Sequence, residues 1–162
     1  HHLGDINILV SFALLPALGT FFVAAGSYDL QSLLMILPIG LITVAILHAN
    51  NTRDVKTDRL AGLGTITTSV SLMNAKAIYT FEIFAPYALA LLYVVLLGQP
   101  WTLLAVVLTM PLALRNVRTM ILAEDDLPYR GIQHLDQTTA QLQMAFGLLY
   151  ALGFFLGSWL GV

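Results

Sequence analysis

Long apolar stretches alternate with short polar ones along the whole chain. The first apolar run extends from Ile6 to about Ala25 without a charge. A turn of Gly26, Ser27, Tyr28 and Asp29 separates it from a second run, from about Leu30 to Ala49. A polar stretch follows from Asn50 to about Thr68. The third run lies within about Ala75 to Leu97, with Lys76 at its start. Gly98, Gln99 and Pro100 turn the chain into a fourth run that begins at Trp101, reaches about Leu114 and ends on Arg115 and Arg118. A second polar stretch covers about Ala123 to Gln137, and the fifth run extends from about Thr138 to Leu160. About 20 apolar residues are needed for a helix to cross the hydrocarbon core. The pattern therefore predicts an all-α, polytopic transmembrane helical bundle of about five spans, forming a single integral membrane domain over residues 1–162. Barrel strands would alternate in polarity, and these runs do not. Pro16, Pro38, Pro86 and Pro111 fall inside spans, where kinks are tolerated if neighbours satisfy the freed backbone groups.

Composition agrees. Hydrophobic residues make up 58% of the chain and charged residues 10%, too few charges to coat a soluble domain of this size. The net charge of -2 supplies no basic field, so no nucleic-acid partner is expected. The absence of cysteine excludes disulfides, thiolate metal sites and cysteine nucleophiles. Charge placement adds a direction. Arg53, Lys56, Arg59 and Lys76 flank the first polar stretch, and Arg115, Arg118 and Arg130 flank the second. These seven are all the basic residues, and alternation of the spans puts them on one face. By the positive-inside rule that face is cytoplasmic, which suits a cell (inner) membrane protein.

The chemistry concentrates at the end of the second span, in His48-Ala49-Asn50-Asn51-Thr52-Arg53-Asp54-Val55-Lys56-Thr57-Asp58-Arg59. If the helix continues, Asn50, Asp54 and Asp58 share a face, with Arg53, Lys56 and Arg59 interleaved. Hard oxygen donors suit Mg²⁺, which typically uses one or two carboxylates plus substrate phosphates. Nearby Arg and Lys bind the same phosphate oxygens. The segment therefore reads as a site for a diphosphate carried on Mg²⁺, at the edge of a membrane that would take a lipid tail. The plainer reading is a solvated loop with i,i+4 ion pairs, and spacing alone leaves both open. The density of acid, amide and base beside an apolar span favours a site.

These residues resemble the second aspartate-rich motif of the UbiA-type intramembrane aromatic prenyltransferases. The matching residues are Asn50-Asn51-Thr52-Arg53-Asp54, then Asp58-Arg59 and Ala61-Gly62. Within that superfamily the chain is most similar to the menaquinone branch, the 1,4-dihydroxy-2-naphthoate prenyltransferases and their animal menaquinone-4-synthesising relatives. Leu3-Gly4-Asp5, Thr65, Lys76, Tyr79 and Gly147-Leu148-Leu149-Tyr150 add support. The resemblance implies Mg²⁺-dependent transfer of a prenyl group from a prenyl diphosphate to an aromatic acceptor, in quinone biosynthesis. It implies that Asp54 and Asp58, with Asn50, hold Mg²⁺, and that Asn50, Asn51, Arg53, Lys56 and Arg59 serve the diphosphate. It also implies a nine-span bundle with two such motifs, of which this chain holds five spans and one motif, as a C-terminal part would. Missing N-terminal helices or an oligomeric partner would complete the site. Leu63 and Gly64 depart from the basic residues that many bacterial members carry there.

Other positions keep two readings. Glu82 is expected to snorkel or pair with Lys76 rather than orient an acceptor. His48 either reaches the site or packs at the interface. Phe81, Phe84 and Tyr87 are more readily packing residues than stabilisers of a cation. Arg115 and Arg118 read as anchors, and Glu124-Asp125-Asp126 as a solvated loop. His134 and Asp136 have no role assigned. Gly153 and Gly157 form G-x-x-x-G, which suits close contact with a neighbouring span. Rival functions are prenylation of 4-hydroxybenzoate or homogentisate, a transporter segment, or a chain that only binds lipid. A transporter would hold its polar residues near the membrane midplane rather than at its edge.

Overall fold

A computed structural model describes residues 4–27, 29–124 and 131–162. Leu3, the Asp5 side chain, Tyr28, Asp125, Asp126 and Arg130, named above, lie outside the described residues. The described chain is all-α, with five helical segments long and apolar enough to cross a membrane. They run over Ile6–Ala25, Leu33–Leu60, Leu72–Leu97, Trp101–Ile121 and Leu135–Leu160.

The first span consists of α1 (Gly4–Ile8), a π-helical stretch (Leu9–Leu14) and α2 (Leu15–Ala25). Among its described residues Ala13 is the buried one, and much of its apolar surface faces outward. The second span is α3 (Leu30–Met35) followed by α4 (Leu37–Leu60). Next come the short α5 (Ile66–Ser69) and the third span, α6 (Leu72–Leu97). The fourth starts as a 3₁₀ helix (Trp101–Thr109) and continues as α7 (Met110–Ile121). The fifth is α8 (Leu135–Leu160).

Helix α4 is the hub, packed against both α6 and α8. The core gathers Ile42, Ala45 and Ala49 from α4, Tyr79 and Ile83 from α6, and Leu142 and Phe146 from α8. Polar pairs tie the helices across this core. Tyr79 Oη lies 2.6 Å from Thr139 Oγ1, and Gln143 donates to Thr43 Oγ1 at 2.6 Å. Such interhelical bonds hold spans together where apolar lipid supplies no hydrophobic drive.

The break between α3 and α4 follows from Pro38. Proline has no N–H, so the carbonyl four residues back, that of Leu34, loses its helical donor. Tyr93 Oη donates to that carbonyl at 2.6 Å, and Tyr150 Oη donates to the Met35 carbonyl at 2.9 Å. Tyrosines on two neighbouring spans thus replace the missing ladder bonds.

Contacts between spans agree with the alternation read from the sequence. At one end Lys76 Nζ donates to the carbonyls of Ile121 and Ala123, at 2.9 and 2.7 Å. Arg53 and Asp136 meet at that end as well. At the other end α8 presses on the start of the fourth span. A Cβ at Gly153 would stand 2.9 Å from Leu103 Cα and from the Thr102 carbonyl oxygen, and one at Gly157 would overlap Pro100. The G-x-x-x-G therefore serves a contact within the chain. Trp101 and Trp159 are exposed near this end, as an aromatic belt requires.

Two expectations need correction. The second span does not end at Ala49: α4 runs without interruption to Leu60, because nothing between Asn50 and Leu60 breaks a helix. Glu82 does not pair with Lys76. Lys76 caps the end of α7, whereas Glu82 is buried with Oε2 3.4 Å from His48 Nδ1. The face of α6 that carries Glu82 turns inward against α4.

Candidate active site

Because α4 stays helical past Ala49, Asn50, Asp54 and Asp58 stand in i,i+4 steps on one side. Arg53 ties this side together. Its Nε and Nη2 donate to the two carboxylate oxygens of Asp54, each at 2.9 Å. Nη2 also donates to Asn50 Oδ1. Nη1 donates to Asp136 Oδ2 at 2.7 Å. Asp136 stands in the first turn of α8, 83 residues further along the chain. Arg53 and Asp136 are mostly covered, with side chains 28% and 20% exposed. The Oδ1 atom of Asp136 is buried and has no hydrogen-bond partner among the described residues.

Asn50, Arg53, Asp54 and Asp136 thus form one connected cluster at the polar end of the bundle, and half-buried Asp58 follows one turn on. Asn51 is half-buried beside them. Lys56 and Arg59 are exposed and lie well around the helix from Asp54; Arg59 reaches the Thr68 carbonyl at 3.4 Å. Of the three cations in the motif, Arg53 is the one that bonds to Asp54. Arg115 and Arg118 are exposed on α7.

His48 lies on the opposite side of α4, buried against α6 beside Tyr79. It belongs to the packed core and not to the cluster. Phe81 is exposed toward the surroundings, and Tyr87 packs edge-on against Phe146, as packing residues do. After the motif, Thr65 caps α5 through a reciprocal bond pair with Thr68, which turns the chain back toward α6.

Two cavities lie along the first span, and the smaller one borders the cluster. A small one of about 270 Å³ is walled by Ile8, Phe12, Ile46 and Leu47, with Asn50 and Asp136 at its polar edge. A larger one of about 590 Å³ lies between the first span and α8, among Phe12, Pro16, Phe21, Ile36, Tyr150 and Phe154. Phe12 lines both. Their walls are almost wholly apolar.

The donor set can be tested against a metal. Among the described residues no three His, Asp or Glu side chains converge as a protein-only metal cage. Mg²⁺ does not require one, since it keeps water and phosphate oxygens in its shell. Asp54 and Asp58 supply the one or two carboxylates that such an ion takes, so the residues present fit Mg²⁺ bound together with a diphosphate.

Asp136 was not among the residues to which the sequence assigned a role. Its spacing from the motif gives no signal, and what marks it is its contact with Arg53. An acid in the first turn of a long helix was the available hint.

Residues 1–131 match the profile of the UbiA prenyltransferase family. The chain is similar to UbiA prenyltransferase domain-containing protein 1 of Xenopus tropicalis, with 34% identity over 158 residues, covering 95% of this chain and 42% of that protein. For the protein of the same name in Homo sapiens the identity is 32% over 155 residues, covering 95% of this chain and 43% of the relative. For the Drosophila melanogaster homolog it is 34% over 154 residues, covering 91% and 39%. The chain thus spans about two fifths of the length of the curated relatives it matches.

Proposed function

The chain belongs to the UbiA prenyltransferase family, and we propose that it carries the diphosphate-binding half of a Mg²⁺-dependent aromatic prenyltransferase. The observation that carries this reading is the Asn50–Arg53–Asp54–Asp136 cluster, with Asp58 one turn on, at the rim of an apolar bundle. The acceptor we propose is 1,4-dihydroxy-2-naphthoate, from the resemblance of the chain to the menaquinone branch rather than from the motif itself. The rivals 4-hydroxybenzoate and homogentisate share the same diphosphate chemistry. The polar end faces the cytoplasm in this reading, in keeping with the basic residues gathered there.

Each group then has a task. Asp54 and Asp58 hold the metal–diphosphate unit, with Asn50 adding an amide oxygen. Magnesium, when bound, supplies positive charge to the diphosphate as the allylic C–O bond breaks. The bonding electron pair leaves with the diphosphate oxygen. Arg53 turns N–H groups from Asp54 to phosphate oxygens, which it binds in the same forked geometry. The prenyl tail lies along the apolar cavities that meet at Phe12. Their walls keep water from the allylic cation. A ring carbon of the acceptor donates its π electrons to the cation, forming the C–C bond. Aromaticity returns as the ring loses a proton or, for dihydroxynaphthoate, its carboxyl group as CO₂. A further aspartate-rich segment from outside this chain would complete the metal shell.

The test is transfer of a labelled prenyl group to dihydroxynaphthoate in membranes. It compares the chain alone, the chain with the additional segments its relatives carry, and the completed protein bearing Asp54→Ala and Asp58→Ala. Transfer that the double substitution removes supports the reading. A completed, folded protein that neither transfers the prenyl group nor binds prenyl diphosphate overturns it.

A further inference from the structure

We infer that Asp136 is a positioning residue that keeps Asp54 available as a metal ligand by sharing the charge of Arg53. This rests on the diphosphate site proposed above. Arg53 spans two carboxylates that come from different helices. It forks onto both oxygens of Asp54 and reaches Asp136 Oδ2 with its remaining nitrogen at 2.7 Å. Taken alone, a forked Arg53–Asp54 pair is close to neutral, and an Asp54 neutralised in that way is a poor partner for a divalent cation. The carboxylate of Asp136 changes the balance. Asp54, Asp58 and Arg53 sum to one negative charge, and Asp136 makes it two, which strengthens the pull of the cluster on a divalent cation.

Three features argue against a mere tie between helices. Among the described residues Asp136 Oδ1 is buried without a hydrogen-bond partner, so the tie to Arg53 does not use the whole carboxylate. Asp136 lies in the first turn of α8, at the positive end of the helix dipole. It borders the same small cavity as Asn50, at the rim that the diphosphate would occupy. When phosphate oxygens take the forked side of Arg53, the bond from Nη1 to Asp136 still holds the guanidinium at the site. Asp136 thus acts through Arg53, without touching substrate.

The experiment uses the completed protein in detergent micelles. Binding of labelled farnesyl diphosphate is titrated with Mg²⁺, and Mn²⁺ binding alone is followed by electron paramagnetic resonance. Removing an outer partner of a metal ligand typically weakens metal affinity by roughly 10- to 100-fold. Asp136→Asn keeps the size of the side chain and removes its charge. It is expected to raise the half-saturating Mg²⁺ and Mn²⁺ concentrations by about tenfold, while saturating Mg²⁺ restores the full number of sites. Asp136→Glu should recover most of the loss. On an Arg53→Gln background, where no cation needs sharing, Asp136→Asn should shift the metal dependence much less. Unchanged metal dependence in Asp136→Asn overturns the inference. So does a loss of sites that saturating Mg²⁺ does not restore, which would mark Asp136 as a structural tie. If Asp54→Ala with Asp58→Ala leaves Mg²⁺-dependent binding intact, the diphosphate reading falls, and the inference with it. If that pair abolishes binding while Asp136→Asn changes nothing, the inference alone falls.

Discussion

Helix α4 carries an acid–base contact on each of two faces, and they differ in what surrounds them. On the face toward α6, His48 and Glu82 lie 3.4 Å apart in the packed interior, 1% and 5% exposed. Around the helix, Arg53 shares itself among Asp54, Asn50 and Asp136 in a cluster still partly open at the membrane edge. The interior pair is closed off from the surroundings at the contact of α4 with α6. The edge cluster holds Arg53 in several bonds, with a partly exposed Asp58 nearby and a small cavity alongside, and it is there that the proposed site would take a charged ligand. Ionisable groups in membrane proteins mark function by default. In the proposed reading, access to the group is what separates a binding face from a packed one.

The largest effect expected from breaking this contrast is at the open face. Asp54→Ala with Asp58→Ala should lower prenyl transfer about 100-fold or more, with the thermal unfolding midpoint near that of the parent. A double variant that keeps its rate would place the chemistry elsewhere. Next comes packing at the far end of the bundle, where Gly153 meets the backbone of Leu103 and Thr102. Gly153→Ala should cost about 2 kcal/mol by overpacking, read as denaturation in mixed micelles, with the Mg²⁺ dependence untouched. At the interior pair, Glu82→Leu removes the carboxylate beside His48 and should cost about 1–2 kcal/mol. Its KM for prenyl diphosphate should match the parent, and a raised KM would erase the distinction between the two faces. The smallest effect is expected from Tyr93→Phe, which deletes the donor to the Leu34 carbonyl at the Pro38 break. A loss of about 0.6 kcal/mol is the scale of interhelical bonds in membranes, measurable in the same unfolding assay.

Much of this molecule was readable along the chain. The first span was predicted from Ile6 to Ala25 and is found there, and the third and fifth spans differ only in where they begin. Length and apolarity suffice, because the bilayer sets the span and every backbone group must be satisfied inside it. Asn50, Arg53 and Asp54 were legible as a unit because they are neighbours on one helix, and local geometry brings such residues together whatever else the chain does. The role of the glycine pair was legible too, although its partner, the start of the fourth span, was not.

What escaped the sequence was every pairing between helices. Lys76 and Glu82 stand six positions apart and invite an ion pair, yet Lys76 turns to the carbonyls ending α7 and Glu82 to His48. Asp136 had no role until α8 was seen to start beside Arg53. The sequence by itself determined the all-α class, the spans, the end at which the charges collect and the acidic motif, since each follows from local periodicity and from the cost of placing charge in lipid. Only the tertiary structure decided which charges share a site and which are sealed in the core. Helix rotation and packing set those distances, and residues 83 positions apart become neighbours only when the whole bundle closes.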